Sequence, residues 1–226
     1  MSKQLNTVVL ILKKGGDFHF SDAMLLATQL HKHQPNVRVL CFTDIVKEET
    51  QLKKLTLLPF PVKAWQGWWS KMNLFAPTLE QYRPFIYFDL DTAILSNVQS
   101  LFNTLRTTDG LVLLEDLYWV NKEASGVIGV PANNKKVKKL WKTWIQSPDR
   151  YIKQYRGDQN FISAVTPADV LWQRELKCVM GFKPTKKWLM KLPVPSPSVI
   201  CFHGYPRIPE AASLVHWVNE YVNGRL

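Results

Sequence analysis

Short runs of apolar residues, each ending at a polar or small residue, recur along the chain. They cover residues 7–12 (TVVLIL), 37–42 (VRVLCF), 56–58, 85–88, 110–114, 124–131 and 199–202. Runs of this length without strict alternation predict strands that are buried on both faces. The sequence therefore predicts a sheet in the interior of the protein.

Helical patterns separate these runs. They are predicted from Ser21 onward and over residues 70–75, 98–105, 133–146 and 211–222. Pro77 ends the second of these helices, because proline removes a backbone donor and clashes with the preceding turn. Strands that alternate with helices are typical of an α/β fold built from strand–helix units.

Length and composition are those of an ordinary globular chain. The 226 residues fit a single domain spanning 1–226, and no stretch approaches 18 consecutive apolar residues, so no transmembrane helix is expected. The first residues lack the apolar core of a secretory signal, and the three cysteines show no metal-type spacing. We therefore expect a cytoplasmic protein with reduced thiols.

The formal net charge of +11 indicates an anionic partner. Nucleic acid, an anionic membrane surface and phosphorylated substrates all fit this charge, and the charge alone does not distinguish them. Lysines cluster beside tryptophans in the helix predicted for residues 133–146 and again in residues 183–191. Each cluster is either a solvated face above a core stripe or a surface for a polyanion.

Two carboxylates end the apolar run of residues 85–88. Asp89 and Asp91 flank Leu90, and residues two apart in extended backbone project to the same side. Because an unpaired buried charge is costly, a positive partner is expected beside them. Two converging carboxylates suit a divalent cation that keeps positions open for a diphosphate. The alternative is a solvent-exposed Asp-x-Asp that begins a loop, which is the commoner origin of an isolated motif.

Gly15, Gly16 and Asp17 follow the first predicted strand. Glycine lets the backbone approach a ligand closely, and loops after parallel strands are where ligands bind, although a plain turn is an equal alternative. The G-x-G-x-x-G fingerprint of dinucleotide binding is absent. Asp44, which follows the second strand, either holds a ribose or base edge or caps a loop.

Lys71 lies in the tryptophan-rich segment WWSKMNLF. Its stem either packs along apolar surface or presents the ammonium group to a phosphate or sugar. Ser125 and Gly126 are small enough to leave room for a flat ligand such as a sugar ring. Asp158 and Gln159 begin a predicted helix, where an acid is commonly only a partner of the helix dipole.

His203 and Arg207 follow the last predicted strand. A histidine at a strand end is usually a satisfied polar residue, but beside a metal site it is the missing type of third ligand. The guanidinium of Arg207 has the geometry to bind a diphosphate through two hydrogen bonds.

Taken in order, these motifs resemble those of nucleotide-sugar glycosyltransferases of the GT-A fold, closest to the family 8-like group of retaining enzymes. The resemblance runs over most of the chain. It rests on Gly15-Gly16-Asp17, Lys71, Asp89-Leu90-Asp91, Ser125-Gly126-Val127, Gly157-Asp158-Gln159 and His203-Gly204-Tyr205-Pro206-Arg207. The family usually ends in His-x-x-Gly-x-x-Lys-Pro, whereas here Gly204 follows His203 directly and arginine replaces lysine.

The resemblance implies an α/β fold with a mixed central sheet flanked by helices, and a role for each motif. Asp89, Asp91 and His203 would hold Mn²⁺ or Mg²⁺. Lys71 and Arg207 would face the diphosphate or donor sugar of a UDP-sugar. The remaining motif residues would line the nucleotide pocket (Gly15, Gly16, Asp17, Asp44) or surround the donor sugar and the acceptor hydroxyl (Ser125, Gly126, Asp158, Gln159).

The acceptor is a separate inference from charge. A hydroxymethylated DNA base, which would be flipped out of the duplex, is one anionic acceptor that fits the lysine clusters. A lipopolysaccharide or lipid-linked acceptor at an anionic membrane surface is the other. A non-catalytic nucleic-acid-binding protein on the same scaffold is the alternative from a different functional class.

Overall fold

The computed structural model describes residues 5–119, 121–132, 134–183, 191–192 and 195–226. Two sheets form its framework. Their strands are β1 (Asn6–Leu12), β2 (Val37–Thr43), β3 (Thr50–Gln51), β4 (Thr56–Pro59), β5 (Phe85–Phe88), β6 (Thr92–Ile94), β7 (Val112–Glu115), β8 (Glu123–Val130), β9 (Val170–Leu171), β10 (Val179–Phe182) and β11 (Val199–Phe202).

Helices flank the sheets. They are α1 (Phe20–His33), α2 (Gln99–Thr107), α3 (Lys135–Gln146), α4 (Pro148–Gln154), α5 (Asp158–Val165), α6 (Trp172–Glu175), α7 (Ile208–Ala212) and α8 (His216–Val222), with 3₁₀ helices over Gly67–Phe75 and Pro77–Tyr82. No helix in the described ranges is both long and apolar enough to cross a membrane.

The larger sheet is mixed and has the strand order β3-β4-β2-β1-β5-β8-β7-β9. Strands β4, β2, β1 and β5 are parallel, and β8 runs antiparallel to both β5 and β7. In the smaller sheet, β10 and β11 are parallel and β6 is antiparallel to β11. The parallel strands of the two sheets place the loops that follow β1, β5, β10 and β11 around one cleft.

Strand β1 is buried on both faces, as its unbroken apolar run predicts. Val8, Leu10 and Leu12 pack in the core cluster beneath α1 and α2, whereas Val9 packs in the cluster beneath α3 and α5. The same alternation in β5 sends Tyr87 to the α3 and α5 side. A third cluster packs α7 and α8 against the smaller sheet.

The predicted strands over residues 7–12, 37–42, 85–88 and 199–202 are confirmed to within one residue. Two predicted helices differ in form. The segment 70–75 belongs to a 3₁₀ helix, and the tail 211–222 is divided into α7 and α8. Val215 adopts an extended conformation between them, which turns both Trp217 and Tyr221 into the third core cluster.

Two further predictions concern residues that are only partly described. The helix predicted for 133–146 begins at Lys135, with Asn134 as its N-cap, and Asn133 lies outside the described residues. Most of the basic cluster of residues 183–191 also lies outside them, since the description omits 184–190.

Candidate functional site

An open cleft of about 1600 Å³ lies at the carboxyl ends of β1, β5 and β11. It brings together twelve residues singled out from the sequence. They are Gly15, Gly16, Asp17, Lys71, Asp89, Asp91, Ser125, Gly126, Asp158, Gln159, His203 and Arg207. The strand ends thus gather side chains from segments that are up to 190 residues apart in the chain, as the contact between Asp17 and Arg207 illustrates.

Asp89 is held at the end of β5 by both its backbone and its side chain. Its N–H donates to the carbonyl of Gly126 at 2.8 Å, which continues the β5–β8 ladder. Its carboxylate accepts hydrogen bonds from the hydroxyl of Tyr87 and from Lys71 Nζ. Burial, followed by the charge of Asp89, raises the pKa of Tyr87 well above its ordinary value, so this phenol remains a hydrogen-bond donor.

Lys71 is 7% exposed and is the cation beneath the acids. Its Nζ lies 2.8 Å from Asp89 Oδ2, 3.7 Å from Asp158 Oδ2 and 3.4 Å from the hydroxyl of Ser125. Burial lowers the pKa of Lys71, but the charges of Asp158 and Asp89 outweigh that effect and leave the pKa raised. Lys71 is therefore a permanent positive charge, and it is the positive partner that the sequence led us to expect beside Asp89, although its pairing with Asp158 was not predicted.

Asp158 begins α5 and is 4% exposed. Burial raises its pKa, while the charge of Lys71 opposes that rise. Gln159, the next residue, lines the cleft. A Cβ added to Gly157 would lie 3.3 Å from Trp68 Nε1, so a glycine before Asp158 allows this indole to pack against the start of α5.

Asp91 and Arg207 form the second charged pair of the cleft. Arg207 Nη1 lies 3.0 Å from Asp91 Oδ2, Nη2 lies 2.6 Å from Asp17 Oδ2, and the guanidinium stacks 4.3 Å from the ring centre of Phe18. Burial and then the charge of Asp89 raise the pKa of Asp91 to about 7, against the lowering effect of Arg207. Asp91 Oδ1 is buried and has no hydrogen-bond partner in the described part of the chain.

His203 follows β11 and lines the same cleft, where the charge of Asp116 acts on it more strongly than that of Asp89. Burial lowers the pKa of its imidazole, which favours the neutral form. Its Nε2 is buried and finds no hydrogen-bond partner among the residues described. A Cβ on Gly181 would lie 2.8 Å from this nitrogen, so only glycine at this position of β10 leaves room for the ring. Sequence reasoning missed Gly181, although a glycine inside a strand often marks such a close approach.

Three residues that line this cleft carry donor atoms of the kinds that divalent cations take as ligands. Within the described ranges, no three His, Cys, Asp or Glu side chains lie close enough together to hold a metal ion by themselves. Asp91 Oδ1 and His203 Nε2 are nevertheless buried and unpartnered, with Asp89 as a neighbouring carboxylate. Mg²⁺ is commonly bound by one or two carboxylates together with substrate phosphates, and imidazole suits transition metals.

The loop after β1 is braced by Asp44 and lines the cleft with its glycines. Asp44 Oδ1 accepts from the backbone N–H of Lys14 at 2.6 Å, and its Oδ2 lies 3.5 Å from Lys13 Nζ. Asp44 itself is not among the cleft-lining residues of the described structure. Gly15 has a positive φ of 72°, a conformation that most side chains disfavour. The positive φ of Gly15 and the contacts of Asp44 therefore account for the structure of this turn.

Gly126 has a packing role that its place in the motif did not indicate. A Cβ at this position would lie 2.5 Å from Cys201 Sγ and 3.3 Å from Leu114 Cδ1. The absence of a side chain therefore allows β8 of the larger sheet to pack closely against β11 of the smaller one. The same contact brings His203, two residues after Cys201, to the cleft.

Aromatic residues at the rim of the cleft were not singled out from the sequence. Trp68, Tyr118 and Trp119 line it while remaining 56%, 53% and 69% exposed. By contrast, the lysines of α3 are not among the described residues that line the cleft. Two of them pair with acids, Lys136 with Asp169 and Lys138 with Glu80.

No protein-family model matches this chain, and no curated protein sequence matches it. Solved structures do. The glycosyltransferase GlyE of Streptococcus pneumoniae TIGR4 matches with a TM-score of 0.67 and 11% identity over 97% of this chain and 60% of GlyE. The galactosyltransferase LgtC, solved with donor and acceptor sugar analogues, matches with a TM-score of 0.66 and 12% identity over 96% of this chain and 95% of LgtC.

The bifunctional glycosyltransferase WbbM matches with a TM-score of 0.61 and 10% identity, over 98% of this chain and 52% of WbbM. The chain thus spans about 60% of the length of GlyE and about half that of WbbM. At these identities the comparisons show the fold alone. The chain has the GT-A fold of glycosyltransferases, a mixed α/β architecture, as the sequence motifs predicted.

Proposed function

We propose that the protein is a metal-dependent glycosyltransferase that moves a sugar from a UDP-sugar to a hydroxyl group. The observation that carries this proposal is the cleft itself. Asp89, Asp91 and His203 line it together with Lys71 and Arg207, in a chain with a GT-A fold. Ligands of open α/β sheets bind at this end of the strands.

The donor would lie with its nucleotide over the loop of Gly15 to Asp17 and its diphosphate toward Arg207. Negative charge grows on the leaving diphosphate as its bond to the anomeric carbon breaks. Positive charges that are already in position stabilise this developing negative charge, because the protein does not have to rearrange during the reaction. Arg207 is already fixed by Asp17 and Asp91, and Lys71 by Asp89 and Asp158, so both cations are held in place before the donor binds.

Asp89, Asp91 and His203 would hold the Mn²⁺ or Mg²⁺ ion. When bound, a divalent cation neutralises charge on the leaving phosphates. Asp91 Oδ1 and His203 Nε2 support this assignment, because both are among the buried atoms of the cleft that have no hydrogen-bond partner in the described part of the chain. Asp158 and Gln159 would face the donor sugar and the acceptor hydroxyl from the start of α5. Transfer with retention of configuration is proposed from the motif resemblance.

A donor panel tests this proposal. The purified protein is incubated with Mn²⁺ and each of several nucleotide sugars, and released nucleoside diphosphate is measured. We expect slow release from a UDP-sugar, with hydrolysis replacing transfer when no acceptor is supplied. EDTA is expected to abolish the release and added Mn²⁺ to restore it. Absence of release from every donor would contradict the proposal.

For the acceptor, we propose an anionic molecule whose charged body lies outside the cleft. The cleft lining contains seven basic and six acidic residues and is therefore nearly neutral, although the chain carries a net charge of +11. Exposed aromatic rings at the rim, Trp68, Tyr118 and Trp119, offer faces on which a base or a sugar ring could stack. A hydroxymethylated DNA base and a lipopolysaccharide or lipid-linked sugar both fit a nearly neutral cleft in a positively charged protein.

Binding measurements separate the two acceptors. Affinity for duplex DNA that falls steeply with salt is expected for the DNA acceptor, since counterions are released on binding. Binding to anionic liposomes without affinity for DNA is expected for the lipid acceptor. Mass spectrometry of DNA and lipid extracts from cells with and without the active gene would then identify the added sugar.

A further inference from the structure

Lys183 reaches the same cleft from a segment that none of the motifs includes. It follows β10, whose last residue, Phe182, pairs with Phe202 of β11. Because the two strands are parallel and in this register, Lys183 and His203 leave the sheet side by side. Lys183 lines the cleft with His203, Gly204 and Arg207.

The direct contacts of the Lys183 ammonium group among the described residues are with neutral groups, whereas the charges of Asp91 and Arg207 act on it without an ion pair. Its Nζ donates to the carbonyl of Tyr205 at 3.4 Å and lies 5.9 Å from the ring centre of Tyr118. No carboxylate of the described residues lies within 4.0 Å of it, and all 18 acidic residues of the sequence belong to those residues. The positive charge of Lys183 is therefore not compensated by an ion pair.

The other two cations of this corner differ from Lys183 in this respect. Lys71 is held by Asp89 and Asp158, and Arg207 is held by Asp91 and Asp17. A phosphate that binds either of them shares that cation with carboxylates that repel it. A phosphate that binds Lys183 meets an unshared charge on a flexible stem, so Lys183 gains most from an anionic ligand.

Gly204 keeps this position open. It has a positive φ of 66°, and a Cβ there would lie 3.3 Å from Lys183 Nζ. The glycine after His203 therefore serves two purposes, since it permits the turn and leaves space above the ammonium group. This accounts for a histidine followed directly by glycine at this strand end.

We propose that Lys183 binds the diphosphate of the nucleotide-sugar donor as a third cation beside Lys71 and Arg207. This inference rests on the proposed function. The motifs assigned binding of the diphosphate to Lys71 and Arg207 alone, and this inference adds Lys183, the residue after β10. Arg207, held by two acids, then orients the phosphates, while Lys183 supplies uncompensated positive charge.

Calorimetric titration of the full-length protein tests this assignment. UDP, UMP and uridine are titrated in the presence of Mn²⁺ into the wild type, Lys183→Ala, Lys183→Arg and Lys122→Ala. Lys122 is the matched control, an exposed lysine that lines the same cleft on the loop between β7 and β8. Each alanine variant loses one positive charge from the cleft, so a general electrostatic effect would be equal in both.

Lys183→Ala is expected to weaken UDP binding by a factor on the order of ten or more, the usual effect of losing one charge-assisted hydrogen bond. UMP is expected to lose less affinity and uridine none, while Lys183→Arg stays near the wild type. Equal losses in Lys183→Ala and Lys122→Ala, or no loss in Lys183→Ala, would overturn the assignment. If the wild type binds neither UDP nor any other nucleoside diphosphate, the proposed function fails as well.

Discussion

At the scale of single residues, the cleft contains paired opposite charges, of which Lys71, Asp91 and Asp158 are buried. Lys71 lies between Asp89 and Asp158, and Arg207 lies between Asp91 and Asp17. Removing one member of a buried ion pair leaves the other charge uncompensated, which costs more than the pair itself contributes. This argument applies to Lys71, which is buried, more than to Arg207, whose partner Asp17 is exposed.

Replacing Lys71 with methionine is expected to destabilise the fold by about 3–5 kcal/mol, the usual cost of breaking a buried ion pair. Lys71 is 7% exposed and holds two carboxylates, so its loss leaves both charges unpaired. Urea unfolding measures the change. Lys122→Met is the matched control, because Lys122 is exposed and is expected to change the free energy of unfolding by less than about 0.5 kcal/mol. Equal stability of the two variants would contradict this account of Lys71.

The sequence allowed Asp89, Asp91, His203 and Arg207 to be singled out, because they follow the apolar runs that form β5 and β11. It did not reveal which cation pairs with which acid, nor the space that Gly181 leaves for His203. Those facts depend on β10 and β11 lying side by side, and β10, which is only four residues long, was not predicted. Lys183 was recognised only as part of the basic cluster of residues 183–191, and its place in the cleft was missed for the same reason.

At the scale of elements, one close contact between the two sheets requires a glycine. Gly126 of β8 faces Cys201 of β11, and a methyl group between them would be 2.5 Å from the sulfur. Gly126→Ala is therefore expected to destabilise the protein by about 1–3 kcal/mol through overpacking. Thermal and urea unfolding measure the effect. Cys201→Ala removes the obstructing sulfur. The double variant is therefore expected to lose less stability than the sum of the losses in the two single variants. Additive losses would contradict the contact.

The basic helix α3 is a core element. Val137, Leu140 and Trp144 are fully buried, and Trp144 stacks on Trp69 with ring centres 5.3 Å apart. Its apolar spacing could be recognised from the sequence. The lysines gave no comparable information, because a solvated face and a polyanion-binding face have the same pattern.

Trp144→Ala is expected to cost about 3–5 kcal/mol, since it removes a fully buried aromatic ring. Trp119→Ala is the control at the rim, where the side chain is 69% exposed and the expected change is below about 0.5 kcal/mol. Urea denaturation of both variants compares them directly. A Trp144→Ala protein as stable as Trp119→Ala would show that α3 is not a core helix.

At the scale of the whole molecule, two sheets meet so that loops from distant parts of the chain enclose one cleft. The alternation of strands and helices could be predicted, and so could the GT-A fold, because the motifs occur in a characteristic order. The small second sheet could not, since β6 and β10 are three and four residues long and lack a distinctive pattern. That sheet positions His203, Lys183 and Arg207.

We propose that this cleft promotes cleavage of the bond between a sugar and a nucleoside diphosphate. The most direct test measures the rate of UDP release from the best donor in the presence of Mn²⁺, for the wild type and for Asp91→Asn. The asparagine keeps the size of the side chain and removes its charge, and Arg207 retains Asp17 as a partner. The account predicts at least a hundredfold lower rate for Asp91→Asn, on the order of the effect of losing one transition-state contact, with an unchanged circular dichroism spectrum. An Asp91→Asn protein as active as the wild type, or a wild type inactive with every donor, would contradict it.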